Sequence, residues 1–87
     1  MSEETAFEFP CQFPIKAMGK NNPNFDAIVV GIVRQHVDDL KESAIKSKLS
    51  KGDKFISVTV MIEATSKQQL DAIYQGLTDH PDVIMSL

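Results

Sequence analysis

The side chains best suited to covalent or acid–base chemistry in this chain are one cysteine and two histidines. Cys11 lies between a proline and a glutamine, without the cationic neighbours that activate a nucleophilic thiol. His36 falls in the last turn of a predicted helix, where the dipole favours a cation, and His80 precedes Pro81 in a predicted loop. No serine–histidine–aspartate set or pair of carboxylates stands out. The sequence therefore predicts a protein that is not an enzyme.

The start of the first predicted helix offers a different chemistry, the binding of an anion. Unpaired backbone N–H groups and the helix dipole attract negative charge at such an end. Gly19 would let a ligand approach the backbone, and Lys20 would add a positive charge. The alternatives are that Gly19 serves only the turn and that Asn22 already caps the helix. The candidate ligand-binding residues are Gly19, Lys20, Asn21 and Asn22.

Charge argues against a nucleic-acid partner. The chain has a formal charge of −3 and an isoelectric point near 5.2, whereas nucleic-acid binders usually carry a basic surplus. Lysines do gather between Lys41 and Lys54, but they stand among acidic residues, as is typical of a solvated edge. We therefore expect no nucleic-acid partner.

The remaining composition predicts a cytoplasmic protein without cofactor. The acidic residues 1–8 lack the basic and apolar regions of a secretory signal, and no apolar run approaches the ~20 residues that span a bilayer. Cys11 is the only cysteine, which fits a reducing compartment and excludes an internal disulfide or a thiolate metal cage. We therefore predict no membrane association and no metal site.

Length limits the chain to one folding unit. Two cores within 87 residues would each be too small to fold unaided. Residues 1–9 are predicted to form a polar N-terminal tail, and residues 10–87 a single domain.

Periodicity divides this domain into four strands and two helices. Alternation of apolar residues predicts strands, and recurrence at three- and four-residue spacing predicts helices. Asn22-Pro23 is one helix start signal, and Ser66 with Gln69 forms a capping box at the second. Gly31, inside the first helix, suggests a close approach to the sheet. The predicted elements are a strand over 11–18, a helix from 22 to about 37, strands over 43–50 and 55–64, a helix from 66 until His80-Pro81, and a strand over 83–87.

This order predicts an α+β fold, a ferredoxin-like βαββαβ sandwich. Right-handed crossovers place both helices on one face of a four-stranded antiparallel sheet of order 4-1-3-2. The residues that two known functions of this fold require are absent from this sequence. An RNA-binding version needs stacked aromatics on the central strands, and Phe55 is the single aromatic among the outward positions of the third strand. A phosphate-binding hydrolase needs an arginine in the first loop, whereas the sole arginine, Arg34, is helical.

The uncovered face of the sheet is the second candidate binding surface. Along residues 55–64 one set of alternating side chains is wholly apolar and the other is mixed, as expected for a sheet covered on one side. The mixed set could pair with a second copy or a protein partner, and the alternative is merely tolerated surface. The residues predicted for this face are Met18, Phe55, Ser57, Thr59, Met61, Ile84 and Ser86.

Taken whole, the chain resembles the YbeD-like family of small bacterial proteins of unknown function. The resemblance implies a ferredoxin-like fold akin to the ACT regulatory domains, which bind small ligands such as amino acids and usually pair. One departure is the hairpin turn at residues 51–55, where the family more often shows a glycine followed by lysine or asparagine and then tyrosine. The stretches that carry the resemblance are residues 9–19 (FPCQFPIKAMG), Arg34-Gln35-His36, Ser57-Val58-Thr59-Val60, Ala64-Thr65-Ser66, His80-Pro81 and Leu87.

Two functional hypotheses follow. The leading one is a non-enzymatic regulatory or adaptor domain that binds a small anionic metabolite in an ACT-like manner, with the ligand at residues 19–22. The alternative is a protein–protein interaction module that uses the open face or an edge of its sheet. The first predicts a ligand at the helix start, and the second predicts a hydrophobic interface.

Overall fold

The computed structural model describes residues 8–87, with the backbone alone at Lys51. Most of the predicted tail, residues 1–7, lies outside this range. Two short 3-10 turns, Glu42–Ala44 and Lys51–Asp53, flank the second strand. The strands and helices are β1 (Cys11–Lys20), α1 (Phe25–Arg34), β2 (Ile45–Leu49), β3 (Phe55–Ala64), α2 (Lys67–Asp79) and β4 (Val83–Ser86).

The strands form one antiparallel sheet in the order β2-β3-β1-β4. Read from the other edge this is 4-1-3-2, so the predicted ferredoxin-like α+β fold is confirmed. β3 and β1 pair along their full lengths, from Cys11 opposite Ala64 to Lys20 opposite Phe55. They are the centre of the sheet, and β2 and β4 are its edges.

Both helices cover the same face of the sheet. Their inward side chains share one hydrophobic cluster with alternate residues of β1 and β3, because strand side chains alternate between faces and the buried helical residues recur every three or four positions. The buried members of the cluster are Ile15, Ala17, Phe25, Val29, Val33, Val58, Val60, Ile62, Ala64, Leu70, Ile73 and Leu77.

Helix α1 is shorter than predicted at both ends. It begins at Phe25, because residues 22–25 form a separate turn in which the Phe25 N–H donates to the Asn22 carbonyl at 2.9 Å. It ends at Arg34 rather than near Val37, because the next two N–H groups make tighter three-residue bonds: Gln35 to the Ile32 carbonyl and His36 to the Val33 carbonyl.

Helix α2 has the predicted cap, with one change in its partner. The Ser66 hydroxyl accepts from the Gln69 N–H at 3.0 Å. The Gln69 side-chain oxygen accepts from the Thr65 N–H at 2.7 Å rather than from Ser66, and its amide nitrogen donates to the His36 carbonyl at 2.9 Å. Gln69 therefore ties the start of α2 to the segment that follows α1.

The prediction that Gly31 approaches the sheet closely was wrong. A Cβ atom added to Gly31 would have no neighbour within 4 Å, and the residue is exposed. A Cβ on Gly76 would lie 2.9 Å from Cγ2 of Ile32, so it is Gly76 of α2 that lets the two helices approach.

Candidate binding surface

The predicted anion loop lies partly inside β1. Gly19 and Lys20 are the last two residues of this strand, where Gly19 pairs with Ile56 and Val83, so the prediction that Gly19 ends the strand was wrong. A Cβ on Gly19 would overlap the carbonyl oxygen of Asp82 and lie 2.8 Å from Cζ of Phe25. The space that the missing side chain leaves is therefore filled by the protein itself.

The polar groups of the two asparagines also have internal partners. The Asn21 N–H donates to the Lys54 carbonyl at 3.0 Å, and its side-chain amide donates to the Asp53 carbonyl at 2.9 Å. The Asn22 side-chain oxygen accepts from the Asn24 N–H at 2.9 Å. Asn22 thus stabilises the turn that precedes α1. The prediction that it caps the helix was wrong, because the N-cap is Asn24 and no side chain caps it. Asn21 ties this turn to the β2–β3 hairpin.

A small depression remains beside these residues. It has a volume of about 180 Å³ and is lined by Lys20, Asn22, Pro81, Asp82 and Ile84. Lys20 would attract an anion there, and Asp82 would repel it. The structure thus brings Lys20 and Asn22 together, while Gly19 is buried against Phe25.

The uncovered side of the sheet, hereafter the open face, brings the second set of predicted residues together. Residues paired across antiparallel strands share a face. Met18 lies opposite Ser57, Lys20 lies opposite Phe55, and Lys16 lies opposite Thr59. Met61, farther along β3, lies opposite Pro14. The predicted members from β1 and β3 therefore form one continuous surface.

A bulge in β4 changes which of its residues face outward. The register passes from Gly19 opposite Val83 to Met18 opposite Met85, so Ile84 is an extra residue in β4. Ile84 and Met85 are both exposed on the open face, whereas Ser86 lies opposite the buried Ala17. The placement of Ser86 on the open face was wrong, and Met85 was missed, because strict alternation cannot reveal a bulge.

Exposed apolar side chains concentrate on this face. Among residues 8–87, six large hydrophobic side chains are exposed, and all except Leu49 belong to the open face. Leu87 belongs to it because its N–H and carbonyl both bond to Lys16, at 2.7 and 3.1 Å. The five are Phe55 at 39 %, Met61 at 41 %, Ile84 at 55 %, Met85 at 49 % and Leu87 at 66 % exposure.

The open face is also basic, a property that was not predicted from the sequence. Lys16 and Lys20 alternate with Met18 along β1, and Lys46 and Lys48 of β2 lie opposite Thr59 and Ser57. The even spacing of Lys16, Met18 and Lys20 was the available signal. The alternation of β2 does not show which of its sides faces outward, because that depends on its register with β3.

A larger cavity lies at the opposite end of β1 and β3 from Gly19. It has a volume of about 650 Å³ and lies between the segment after α1 and the start of β1, with Gln69 in its wall. Its charged lining mixes Asp38, Asp39 and Glu63 with Lys41. The sequence did not indicate this cavity, and its mixed charges select no class of ligand.

Cys11 and His80, which were considered for catalysis, make contacts that stabilise the fold. Cys11 is half-buried against the core. The His80 ring nitrogen Nδ1 accepts from the Asp82 N–H at 3.1 Å, within the loop where the sequence places this histidine. Burial raises the pKa of the Tyr74 phenol above its ordinary value. Within residues 8–87, no cluster of three or more His, Cys, Asp or Glu residues could hold a metal ion.

No described helix is both long enough and apolar enough to cross a membrane.

Comparison with known proteins gives a consistent result. Residues 4–87 match the family model described as "Protein of unknown function (DUF493)". The chain is 46 % identical over 80 residues to a UPF0250 protein of Paraburkholderia phytofirmans, covering 92 % of this chain and 90 % of the relative. It is 42 % identical over 87 residues to UPF0250 protein NE1487 of Nitrosomonas europaea, covering all of both chains.

A solved structure has the same fold. The solution structure of protein HP0495 from H. pylori matches with a TM-score of 0.76 at 18 % identity, over 100 % of this chain and 93 % of the other. At this identity the likeness concerns the fold alone. The sequence matches and this fold confirm the predicted resemblance to the YbeD-like proteins.

Proposed function

We infer that this chain, which belongs to the DUF493 family of proteins of unknown function, acts by binding rather than catalysis and presents the open face to a protein partner. One observation carries the proposal. Five of the six exposed large hydrophobic side chains among residues 8–87 lie on this single face. A concentration of exposed apolar side chains on one surface is typical of interaction sites.

The composition of the face supports the same role. Methionine and aromatic side chains are enriched at protein interfaces, and Phe55, Met61 and Met85 are all exposed here. Ser57 and Thr59 lie between them at partial exposure, so polar groups are interspersed. A surface of this kind can exclude water at its centre and form hydrogen bonds at its margin.

The dimensions suit a regulatory or adaptor contact. The ten residues of β3 span about 33 Å, and four strands span about 19 Å, so the open face has a projected area of about 600 Å². Stable complexes usually bury about 800 Å² on each partner, and transient ones bury less. We therefore propose a reversible contact, as expected of a domain that regulates or connects other proteins.

Two matched variants test the proposal. Met85→Asp adds one charge to the open face, and Gln68→Asp adds one charge to the exposed side of α2. The full chain should capture a protein from the native cell extract, cross-link to it through open-face residues, and lose it with Met85→Asp alone. Equal capture by both variants, or cross-links confined to the helices, would contradict the proposal.

A second candidate is the ACT-like binding of a small anion beside Lys20. The depression of about 180 Å³ next to Lys20 and Asn22 favours it. The test is NMR shift mapping with amino acids and carboxylate metabolites. Shifts centred on Lys20, Asn22 and Ile84 would support this site, and the absence of shifts there at millimolar ligand would remove it.

A further inference from the structure

The charge of the open face is opposite to that of the rest of the chain. The face carries Lys16, Lys20, Lys46 and Lys48 against one acidic residue, Glu63, whose partner in the sheet is Gln12. Its formal charge is therefore +3, and because the whole chain has −3, the remaining residues carry −6. A protein that is acidic overall thus presents a basic face.

The lysines border the apolar residues in a regular pattern. One row across the sheet runs from Lys46 through Thr59 and Lys16 to Leu87. Because neighbouring strands lie about 4.8 Å apart, Lys46 and Lys16 are about 10 Å from each other in this row. A partner that binds the open face would therefore contact exposed apolar side chains and ammonium groups together.

These ammonium groups have no acidic partner within the described part of the chain. The ion pair present in residues 8–87 joins Lys67 to Asp71 on α2, at 3.1 Å. Lys16, Lys20, Lys46 and Lys48 are all exposed. Their charges are thus available to a second molecule.

A second copy of this chain is a poor occupant. Face-to-face pairing would bring like charges together, which is costly at an interface. Contact between the basic face of one copy and the acidic remainder of another would be head-to-tail, and it would form rings or open filaments rather than a simple pair.

We propose that the open face binds an acidic protein segment, with carboxylates placed around apolar side chains. This inference rests on the proposed role of the open face. The carboxylates pair with the four lysines, while the apolar side chains cover Met18, Met61 and Met85. Single-stranded nucleic acid fits less well, because sequence-tolerant binding uses successive aromatic platforms and Phe55 is the only aromatic residue on the face. Electrostatic complementarity of this kind favours encounter with the correct partner and suppresses wrong ones.

Two synthetic peptides of equal length test the inference. Both contain the same leucines and phenylalanine, and the remaining positions are glutamate in one and glutamine in the other. NMR titration of the full chain with the glutamate peptide should show shifts at Lys16, Met18, Lys46 and Thr59. This peptide should bind about tenfold more tightly than the glutamine peptide, because two exposed ion pairs account for a factor of this size.

Two matched double variants test which lysines contribute to the affinity for the glutamate peptide. Lys16→Gln/Lys48→Gln should weaken the glutamate peptide about tenfold, and Lys41→Gln/Lys67→Gln, outside the open face, should leave its affinity unchanged. Raising the salt from about 0.01 M to about 1 M shortens the screening length from about 30 Å to about 3 Å and should remove the preference for glutamate.

The outcomes separate this inference from the proposed function. If both peptides bind the open face equally well, the acidic partner is wrong and the binding role of the face stands. If the glutamate peptide binds elsewhere or not at all, the inference is overturned. A single-stranded oligonucleotide that binds the same lysines more tightly than the glutamate peptide would overturn the assignment of a protein occupant.

Discussion

The two faces of the same sheet differ in what their side chains contact. On β3, Val58 and Val60 are fully buried under the helices, whereas Phe55 and Met61 remain 39 % and 41 % exposed. The two sets alternate residue by residue along one strand, so their backbone conformations are equivalent. The helices cover one side of the sheet, so the side chains on that side stabilise the fold by their burial. The side chains on the other side remain available for binding.

Charge follows the same division. Among the described residues, the buried set contains no polar or charged side chain, since an unpaired charge in the core would cost several kcal/mol. The open face tolerates four lysines because water solvates them. A substitution on the covered face should therefore act on folding, and one on the open face should act on binding.

Charge insertion on β3 gives the largest expected contrast. Val60→Asp places a carboxylate among buried apolar groups and should lower the free energy of unfolding by more than about 4 kcal/mol, close to the whole stability of a small domain. Its neighbour Met61→Asp should cost less than about 1 kcal/mol. Chemical denaturation followed by circular dichroism measures both. A folded and equally stable Val60→Asp protein would show that the face beneath the helices is misassigned.

Two glycines provide an intermediate contrast. Gly19→Ala should destabilise the protein by about 2 kcal/mol, because the new methyl group meets the Asp82 carbonyl and the Phe25 ring. Gly31→Ala should stabilise it by about 1 kcal/mol, because its methyl group has open space and alanine favours the helix. Thermal melting compares them. Equal effects of the same sign would mean that Gly19 does not pack as described.

The smallest contrast is between two serines. Ser66→Ala removes the hydroxyl that caps α2 and should cost about 1 kcal/mol. Ser57→Ala, on the open face, removes a long 3.4 Å bond to the Lys48 carbonyl and should change stability by less than about 0.5 kcal/mol. Urea unfolding of both variants is the measurement, and a larger loss for Ser57→Ala would reverse the comparison.

The parts of the fold that the sequence predicted are those with local causes. The bounds of β3 follow from ten alternating residues that end at the Ser66 cap, and α2 follows from that cap and its apolar stripe. The end of α1 was placed three residues too late because Val37 continues the apolar spacing. Val37 does pack against the core, but from a segment outside the helix.

The candidate site was less accessible from the sequence. Gly19, next to Lys20 and a helix start, indicated a ligand position, but the ring that occupies its space comes from Phe25, six residues later. Likewise, Ser86 was placed outward by simple alternation, and the bulge at Ile84 placed Met85 there instead. In both cases the deciding contact joins different elements.

The sequence by itself determined the order of the elements, the inward faces of β1, β3 and the two helices, and the start of α2, because periodicity and caps act within a few residues. Only the tertiary structure decided that Lys46 and Lys48 share one basic, apolar face with Lys16 and Met18. The reason is that strand register is set by pairing between distant segments, and a shift of one residue would move each of these side chains to the opposite face.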